Sequence, residues 1–199
     1  MEKPFSEACE RNKDVILNVL REVILQSDER LLEVGAGTGQ HAEYLSSKFP
    51  RIEWYPTDKN IIHLKNLQGS RMLQKAQRLD VSKDDFPKLR FDVVFTANTF
   101  HIMSWKECKS FIKLLGHRLR EGSRVVIYGP FKYNGEFTSP SNAEFDLSLK
   151  ARDPLSGIRA FEDVNTNMVK QGFELVEDHE MPANNRCLVY VRLKFEPKH

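Results

Sequence analysis

Leu31-Leu32-Glu33-Val34-Gly35-Ala36-Gly37-Thr38-Gly39-Gln40 is the stretch whose reading decides the fold. A largely apolar run, Leu31 to Val34, ends in three glycines at alternate positions, and a helix-compatible segment follows from Gln40 to Lys48. A buried strand entering a tight turn and then a helix is the opening unit of an open α/β sheet. Glycines let the backbone turn sharply and let a ligand approach main-chain atoms that a Cβ would shield.

The third glycine separates two kinds of ligand. A dinucleotide site needs G-x-G-x-x-G, because the pyrophosphate sits on the helix N-terminus. Counting from Gly35, that glycine would be residue 40, which is Gln40. The spacing here is E-x-G-x-G-x-G, with Glu33 two residues before the first glycine. This resembles the first motif of the class I S-adenosylmethionine-dependent methyltransferases, whose cofactor carries an amino-acid end and no phosphate. The resemblance implies that Glu33, Gly35, Ala36 and Gly37 hold that end. A glycine-rich turn without a ligand is the plainer alternative.

With 199 residues, the chain is long enough for one domain with a sheet covered on both faces. Thirty basic residues against 28 acidic ones leave a net charge of +2, with no block of like charge. Strong nonspecific attraction to nucleic acid or to an anionic membrane is therefore not expected. Cys9, Cys108 and Cys187 are odd in number and lack C-x-x-C spacing, which argues against a disulfide framework or a metal site. Met-Glu-Lys-Pro-Phe does not read as a signal peptide, and no apolar run reaches the length of a membrane span. The expectation is a cytoplasmic protein; its oligomeric state is left open.

Residues 6–25 read as an amphipathic helix, with Ser6 as N-cap and Val15, Ile16, Val19, Leu20, Val23 and Ile24 on one face. This leading helix could cap the sheet or cover a cofactor. Residues 52–56 form a second strand, followed by Asp58, 59–68 a helix, and 73–79 a weakly marked third strand closed by Asp80-Val81. A carboxylate after the second strand suits a ribose, whose two hydroxyls can both donate to it; alternatively, Asp58 only caps the helix that follows. Asp80 could accept from an adenine amino group, leaving the Val81 main chain to donate. The apolar run 91–97 is the fourth strand and leads straight into Asn98 and His101, which then face the crevice at the strand ends. A helix over 104–120, a fifth strand over 124–128, a helix over 160–171, and strands over 173–177 and 187–195 complete the pattern. The final two strands share a short turn, so they must be antiparallel. The expected architecture is an α/β, Rossmann-like seven-stranded sheet with one reversed strand at the end of the chain and helices on both faces. A dinucleotide fold would instead have six strands, all parallel.

Between the fifth strand and the next helix, residues 131–159 break the pattern. They are rich in Gly, Pro, Ser and Asn, yet carry Phe131, Tyr133, Phe137 and Phe145. A connection this long inside a compact domain is functional or disordered, and the aromatic residues argue for a folded lid.

The second half is similar to one family in particular. The runs YGPFKYNGEFTSPSNAEFDLSLKARDPLSGIR (128–159) and MPANNR (181–186) resemble a methyltransferase-like family of bacteria and animals described only as a domain of unknown function. RNKDVIL, EVGAGTGQHA, WYPTD, LDV and ANTFHIMSW in the first half agree with it. The resemblance implies the class I fold and S-adenosylmethionine binding, and it implies no particular acceptor. Ala160 departs from it, since an Asp is expected after Gly-Ile-Arg.

These readings converge on methyl transfer to a small-molecule acceptor. Glu33, Gly35, Ala36, Gly37 and Asn98 would hold the methionine end, Asp58 the ribose, and Asp80 with Val81 the adenine. His101 is the candidate base, with a structural histidine beneath the lid as its equal alternative. Tyr133, Asn142, Arg152, Arg159 and Asn185 are candidate acceptor contacts, although each arginine could instead pair with Asp146 or Asp153. No metal is expected. Two other readings stay open: a methyltransferase-fold binding protein without turnover, and an NAD-dependent oxidoreductase, which the glycine spacing disfavours.

Overall fold

The computed structural model describes residues 5–65, 67–68 and 70–194. In chain order the elements are α1 (Glu7–Val23), β1 (Arg30–Val34), α2 (Gln40–Lys48), β2 (Glu53–Asp58), a 3-10 turn (Ile61–Leu64), β3 (Gln77–Arg78), β4 (Val93–Ala97) and α3 (Trp105–Arg118). There follow β5 (Arg124–Gly129), β6 (Phe131–Tyr133), β7 (Glu136–Phe137), α4 (Pro140–Arg152), β8 (Arg159–Ala160), α5 (Phe161–Lys170), β9 (Phe173–Met181), a second 3-10 turn (Pro182–Asn184) and β10 (Asn185–Arg192).

The main sheet has seven strands in the order β3-β2-β1-β4-β5-β10-β9. Strands β1, β2, β3, β4 and β5 pair in parallel, whereas β10 is antiparallel to both of its neighbours. Only β10 is therefore reversed, as the short 181–186 turn requires. Alternation along each central strand splits the core between two faces. Leu32, Val94, Val125 and Ile127 pack against α3 and α5, while Leu31, Val93, Phe95 and Val126 pack against α1 and α2. A sheet covered on both faces needs apolar residues at nearly every position, which explains the continuous run at 91–97.

α1 is anchored as the sequence suggests. Ser6 caps it by accepting from the Cys9 N–H at 3.4 Å, and Ile16, Leu17, Val19, Leu20 and Val23 are buried. Two expectations along β2 and β3 are corrected. Where a helix over 59–68 is expected, the chain makes only the 3-10 turn Ile61–Leu64, capped by the Asn60 side chain. Of its apolar residues Leu64 is buried and Ile62 points to solvent. Residues 66 and 69 lie outside the described residues. The strand expected over 73–79 shrinks to an isolated pairing of Leu73 with Trp54 and to the two residues of β3. At the far end β10 stops at Arg192, and Phe195 lies outside the described residues.

Residues 131–159 leave the carboxyl end of β5 and fold. Strands β6, β7 and β8 form a second sheet in the order β7-β6-β8, and α4 begins at Pro140 behind the cap of Ser139. Among the described residues no helix is long and apolar enough to cross a membrane.

Candidate functional site

A cavity of about 880 Å³ opens at the carboxyl ends of β1, β2 and β4. Its floor is the glycine turn. Gly35 and Ala36 both donate their N–H to the Thr57 carbonyl at 2.9 Å, which draws the turn onto the end of β2. Gly35 has φ of 76°, and a Cβ there would lie 2.2 Å from the Thr99 methyl carbon, so backbone and packing both require glycine. Gly37, with φ of 54°, leaves open space where a side chain would stand, and that space belongs to the cavity.

Three acids surround this turn, and they do three different things. Asp58 lines the cavity; its Oδ2 accepts from Gly37 N–H at 2.9 Å and its Oδ1 from Asn60 N–H at 2.8 Å. It thus fastens the glycine turn, while Asn60 caps the 3-10 turn, so Asp58 is not the N-cap. A carboxylate offers about four lone-pair directions, so two remain for a ligand. Asp80 also lines the cavity and is buried. Its Oδ1 accepts from the Ser82 hydroxyl at 2.6 Å and the Ser82 N–H at 3.1 Å, and these bonds hold its pKa below the usual carboxylate value. Its Oδ2 is buried with no hydrogen-bond partner among the described residues, 3.7 Å from the Lys59 ammonium. Lys59 also reaches Glu107 at 3.1 Å, joining the end of β2 to the first turn of α3.

Glu33 is off the cavity wall. It shares a face of β1 with Leu31, so its carboxyl points into the α1–α2 side of the core and accepts from the Trp54 indole N–H at 2.6 Å. Burial, opposed by the indole bond and helped by the nearby Asp58 charge, raises its pKa to about 7.

At the end of β4, Asn98 takes φ of 58°, a left-handed conformation that Asn tolerates better than most residues. His101, three residues on, is buried, lines the cavity, and meets the Phe145 ring edge-on at 5.3 Å between centroids. Its Nδ1 has no partner among the described residues. Burial, and then the charges of Arg159 and Arg152, lower its pKa to about 4. The imidazole is therefore neutral at physiological pH and only a weak base.

Over this end of the cavity lie α4 and the 182–185 turn. Asn142, Phe145, Ala183 and Asn185 all line it. The Asn142 side chain donates to the Asn184 carbonyl at 3.0 Å and to the Thr138 hydroxyl at 2.8 Å, so the two family motifs are joined directly.

Three expected acceptor contacts lie elsewhere. Tyr133 donates to Asp178 at 2.9 Å and stacks on Phe161, away from the cavity lining. Arg152 bonds the Ser148 carbonyl and hydroxyl on its own helix. Arg159 grips the carbonyls of Phe100, Met103 and Leu155, holding the His101 segment from behind. Neither arginine pairs with Asp146 or Asp153 among the described residues. Asp146 takes Lys150 at 2.6 Å and Asp153 the Leu155 N–H at 2.9 Å.

Other wall residues were not singled out by the sequence. His41, on the first turn of α2, bonds the buried Asn12 of α1 at 2.7 Å and has its pKa lowered to about 4 by burial. Ser6 clasps Gln40 through its main chain, its N–H donating at 2.5 Å and its carbonyl accepting at 3.3 Å. α1 is thereby drawn over the cavity, where Ser6, Cys9 and Arg11 form part of the wall. The available signal was Asn12, which sits four residues before Ile16 on the buried stripe of α1.

The family described as Protein of unknown function (DUF938) matches residues 3–192. The chain belongs to that family. A curated relative from Staphylococcus carnosus, named an uncharacterized methyltransferase, is 26% identical over 121 residues, covering 59% of this chain and 56% of the relative. Among solved structures, human N-acetylserotonin methyltransferase in complex with SAM superposes with a TM-score of 0.80 at 14% identity, over 94% of this chain and 53% of that one. An O-methyltransferase family 2 protein from Planctomyces limnophilus, in complex with apigenin, gives 0.71 at 15% identity, over 92% and 62%. The chain thus spans little more than half the length of these first relatives. At such identities the likeness establishes the fold, which is that of the class I methyltransferases.

Proposed function

We propose that the chain is an S-adenosylmethionine-dependent methyltransferase acting on a small-molecule acceptor. The observation that carries this reading is the Asp80 carboxylate at the edge of a cavity floored by the glycine turn: ionised, buried, and with one oxygen that accepts no hydrogen bond among the described residues and has only the Lys59 ammonium at 3.7 Å. Leaving such an acceptor unmatched is costly unless a ligand donor meets it. An adenine amino group is such a donor, and the Val81 main chain beside it can serve the ring. Asp58 offers its free lone pairs to the ribose hydroxyls. Gly35, Ala36, Gly37 and Asn98 receive the amino-acid end, where a side chain on Gly37 would intrude. Glu33 supports from behind the turn through Trp54 and does not touch the cofactor.

When bound, S-adenosylmethionine supplies a methyl group already activated by its sulfonium. The chain then has to position the acceptor and exclude water. α1, clasped through Ser6–Gln40 and Asn12–His41, closes one side. α4 and the 182–185 turn close the other and leave His101 facing the acceptor. The name of the S. carnosus relative supports methyl transfer, the human structure in complex with SAM supports the same cofactor, and the apigenin complex supports a small-molecule acceptor.

Calorimetry tests the reading. S-adenosylmethionine and S-adenosylhomocysteine should bind and NAD should not. Asp58→Ala should remove charge-assisted bonds worth roughly 1.5–3 kcal/mol, a loss of about ten- to a hundredfold in affinity. NAD binding, or unchanged affinity in a variant that melts like wild type, rules the proposal out.

A further inference from the structure

We infer that the acceptor end of this cavity takes a small organic oxyanion of the carboxylate class, with His101 donating a hydrogen bond to it. The inference rests on the proposed function for the identity of that end as the acceptor site.

Three features there are positive, against one acid on this part of the wall, Asp153. The first is the pair Arg152 and Arg159 behind the His101 segment. Arg159 donates to three main-chain carbonyls, and Arg152 to a carbonyl and a hydroxyl. No carboxylate neutralises either guanidinium among the described residues. The nearby acid Asp146 is occupied by Lys150 and by the Ile158 N–H at 2.7 Å. Asp153, the acid on this part of the wall, is exposed and turned toward the Leu155 N–H. The second feature is the start of α4. Its first turn carries no acidic side chain, and Ser141 and Asn142 of that turn line the cavity. A thirteen-residue helix presents about half a positive charge at this end. Arg11 on α1, which also lines the cavity and pairs with Glu7 at 3.3 Å, is the third.

A helix start and background charge become a site only if something there is built to meet a ligand. His101 is that group. It lines the cavity, is 5% exposed and meets Phe145 edge-on, and its Nδ1 has no partner among the described residues. The segment carrying it is clamped on both sides, by Gly157 N–H on its own carbonyl at 2.9 Å and by the Ser156 hydroxyl on the Ile102 carbonyl at 2.7 Å. The main chain beneath the ring is therefore held in place. Burial and the two arginines hold it neutral, so it keeps a single N–H to give and accepts a proton poorly. An acceptor that arrives as an anion suits this arrangement, because it brings no proton to dispose of. Ile102, Pro130 and Phe145 give the wall an apolar part that fits the carbon skeleton of such a molecule.

An isosteric trio, benzoate, benzamide and benzamidinium, separates charge from shape. Each is titrated calorimetrically into protein saturated with S-adenosylhomocysteine, at neutral pH and low salt. Benzoate should bind at least about tenfold more tightly than benzamide, and benzamidinium more weakly than either. Arg152→Gln, on an exposed side chain, should narrow the benzoate-to-benzamide ratio. His101→Phe should abolish the preference while leaving S-adenosylhomocysteine affinity unchanged. The ring nitrogen shifts of His101 should report a neutral imidazole that moves on adding benzoate. Equal or tighter binding of benzamide or benzamidinium overturns the inference, as does no binding of any of the three at millimolar concentration. Failure of S-adenosylhomocysteine to bind strikes the proposed function instead, and the trio titrated into the free protein still reads the charge preference of the cavity.

Discussion

At the scale of single residues, Glu33 sets up a conflict that pH can read. The carboxyl is 2% exposed, and its pKa is raised to about 7 from a model-compound value of 4.5. A folded-state pKa above the unfolded one means that the folded chain binds more protons between those two values. Stability from this group is therefore present below pH 4.5 and is lost as pH rises through 7. Glu33→Gln keeps the acceptor for the Trp54 indole and removes the ionisation. The variant should match wild type near pH 4.5 and exceed it by roughly 1–3 kcal/mol at pH 8. His41 and His101 carry the opposite sign, losing stability as pH falls from 6.5 to about 4. Because both proteins contain them, they cancel in the difference. Urea melts of the two proteins across this range check the slope; a constant difference would mean that Glu33 is not buried as a neutral acid. The same residue illustrates what a motif conveys. The glycines and Asp58 were legible because a turn and a strand end leave little freedom of position. Glu33 lies off the cavity lining, on the Leu31 face where the alternation of β1 already put it. Tyr133, Arg152 and Arg159 were not legible at all, since nothing local fixes which way an irregular segment turns its long side chains.

At the scale of elements, α5 begins without a cap. Ala160 occupies its N-cap position with φ of −70° and ψ of 131°, and no side chain bonds the first turn from there. This is the position where the family resemblance leads one to expect Asp. Asp at an N-cap is worth about 0.5–2 kcal/mol over Ala, because its carboxylate satisfies a first-turn N–H and faces the positive helix end. Ala160→Asp should raise the melting temperature by about 2–4 °C per kcal/mol gained in a chain of this size. Glu162 and Asp163 already stand in that first turn, which trims the charge part of the gain and leaves the hydrogen bond. Scanning calorimetry decides, and a lower melting temperature would mean that the site cannot accommodate the carboxylate. Elements with strong periodicity, such as α1 and the central strands, were readable in the sequence because burial enforces the pattern. The weak ones, 59–68 and 73–79, lie along β2 at the sheet edge, where few contacts select one conformation. There a four-residue turn and a two-residue strand carry no pattern to read.

At the scale of the whole molecule, the roof of the cavity is assembled from segments some forty residues apart, and one side chain ties them. Asn142 is buried on α4 and donates both to Thr138 and to the carbonyl of Asn184. That carbonyl belongs to a turn in which Ala183 and Asn184 have φ of 57° and 56°. Left-handed conformations cost roughly 1–2 kcal/mol at Ala, so the turn persists because its surroundings hold it. Asn185 contributes by donating to the Pro182 carbonyl at 3.0 Å, and the Thr138 hydroxyl reaches the Asn184 carbonyl at 3.4 Å. Removing the Asn142 amide leaves that longer bond alone across the joint. Asn142→Ala should cost about 0.5–1.5 kcal/mol in global stability, but its larger effect should be local. Hydrogen exchange at 138–145 and at 182–186 should accelerate together, while β1 and β4, at the centre of the sheet, keep their protection. Affinity for S-adenosylhomocysteine should hold, because its proposed contacts lie on the glycine turn and the strand ends, and affinity for benzoate should fall. Acceleration of one segment without the other would show that the two motifs close the cavity independently, and the shared roof would then be wrong.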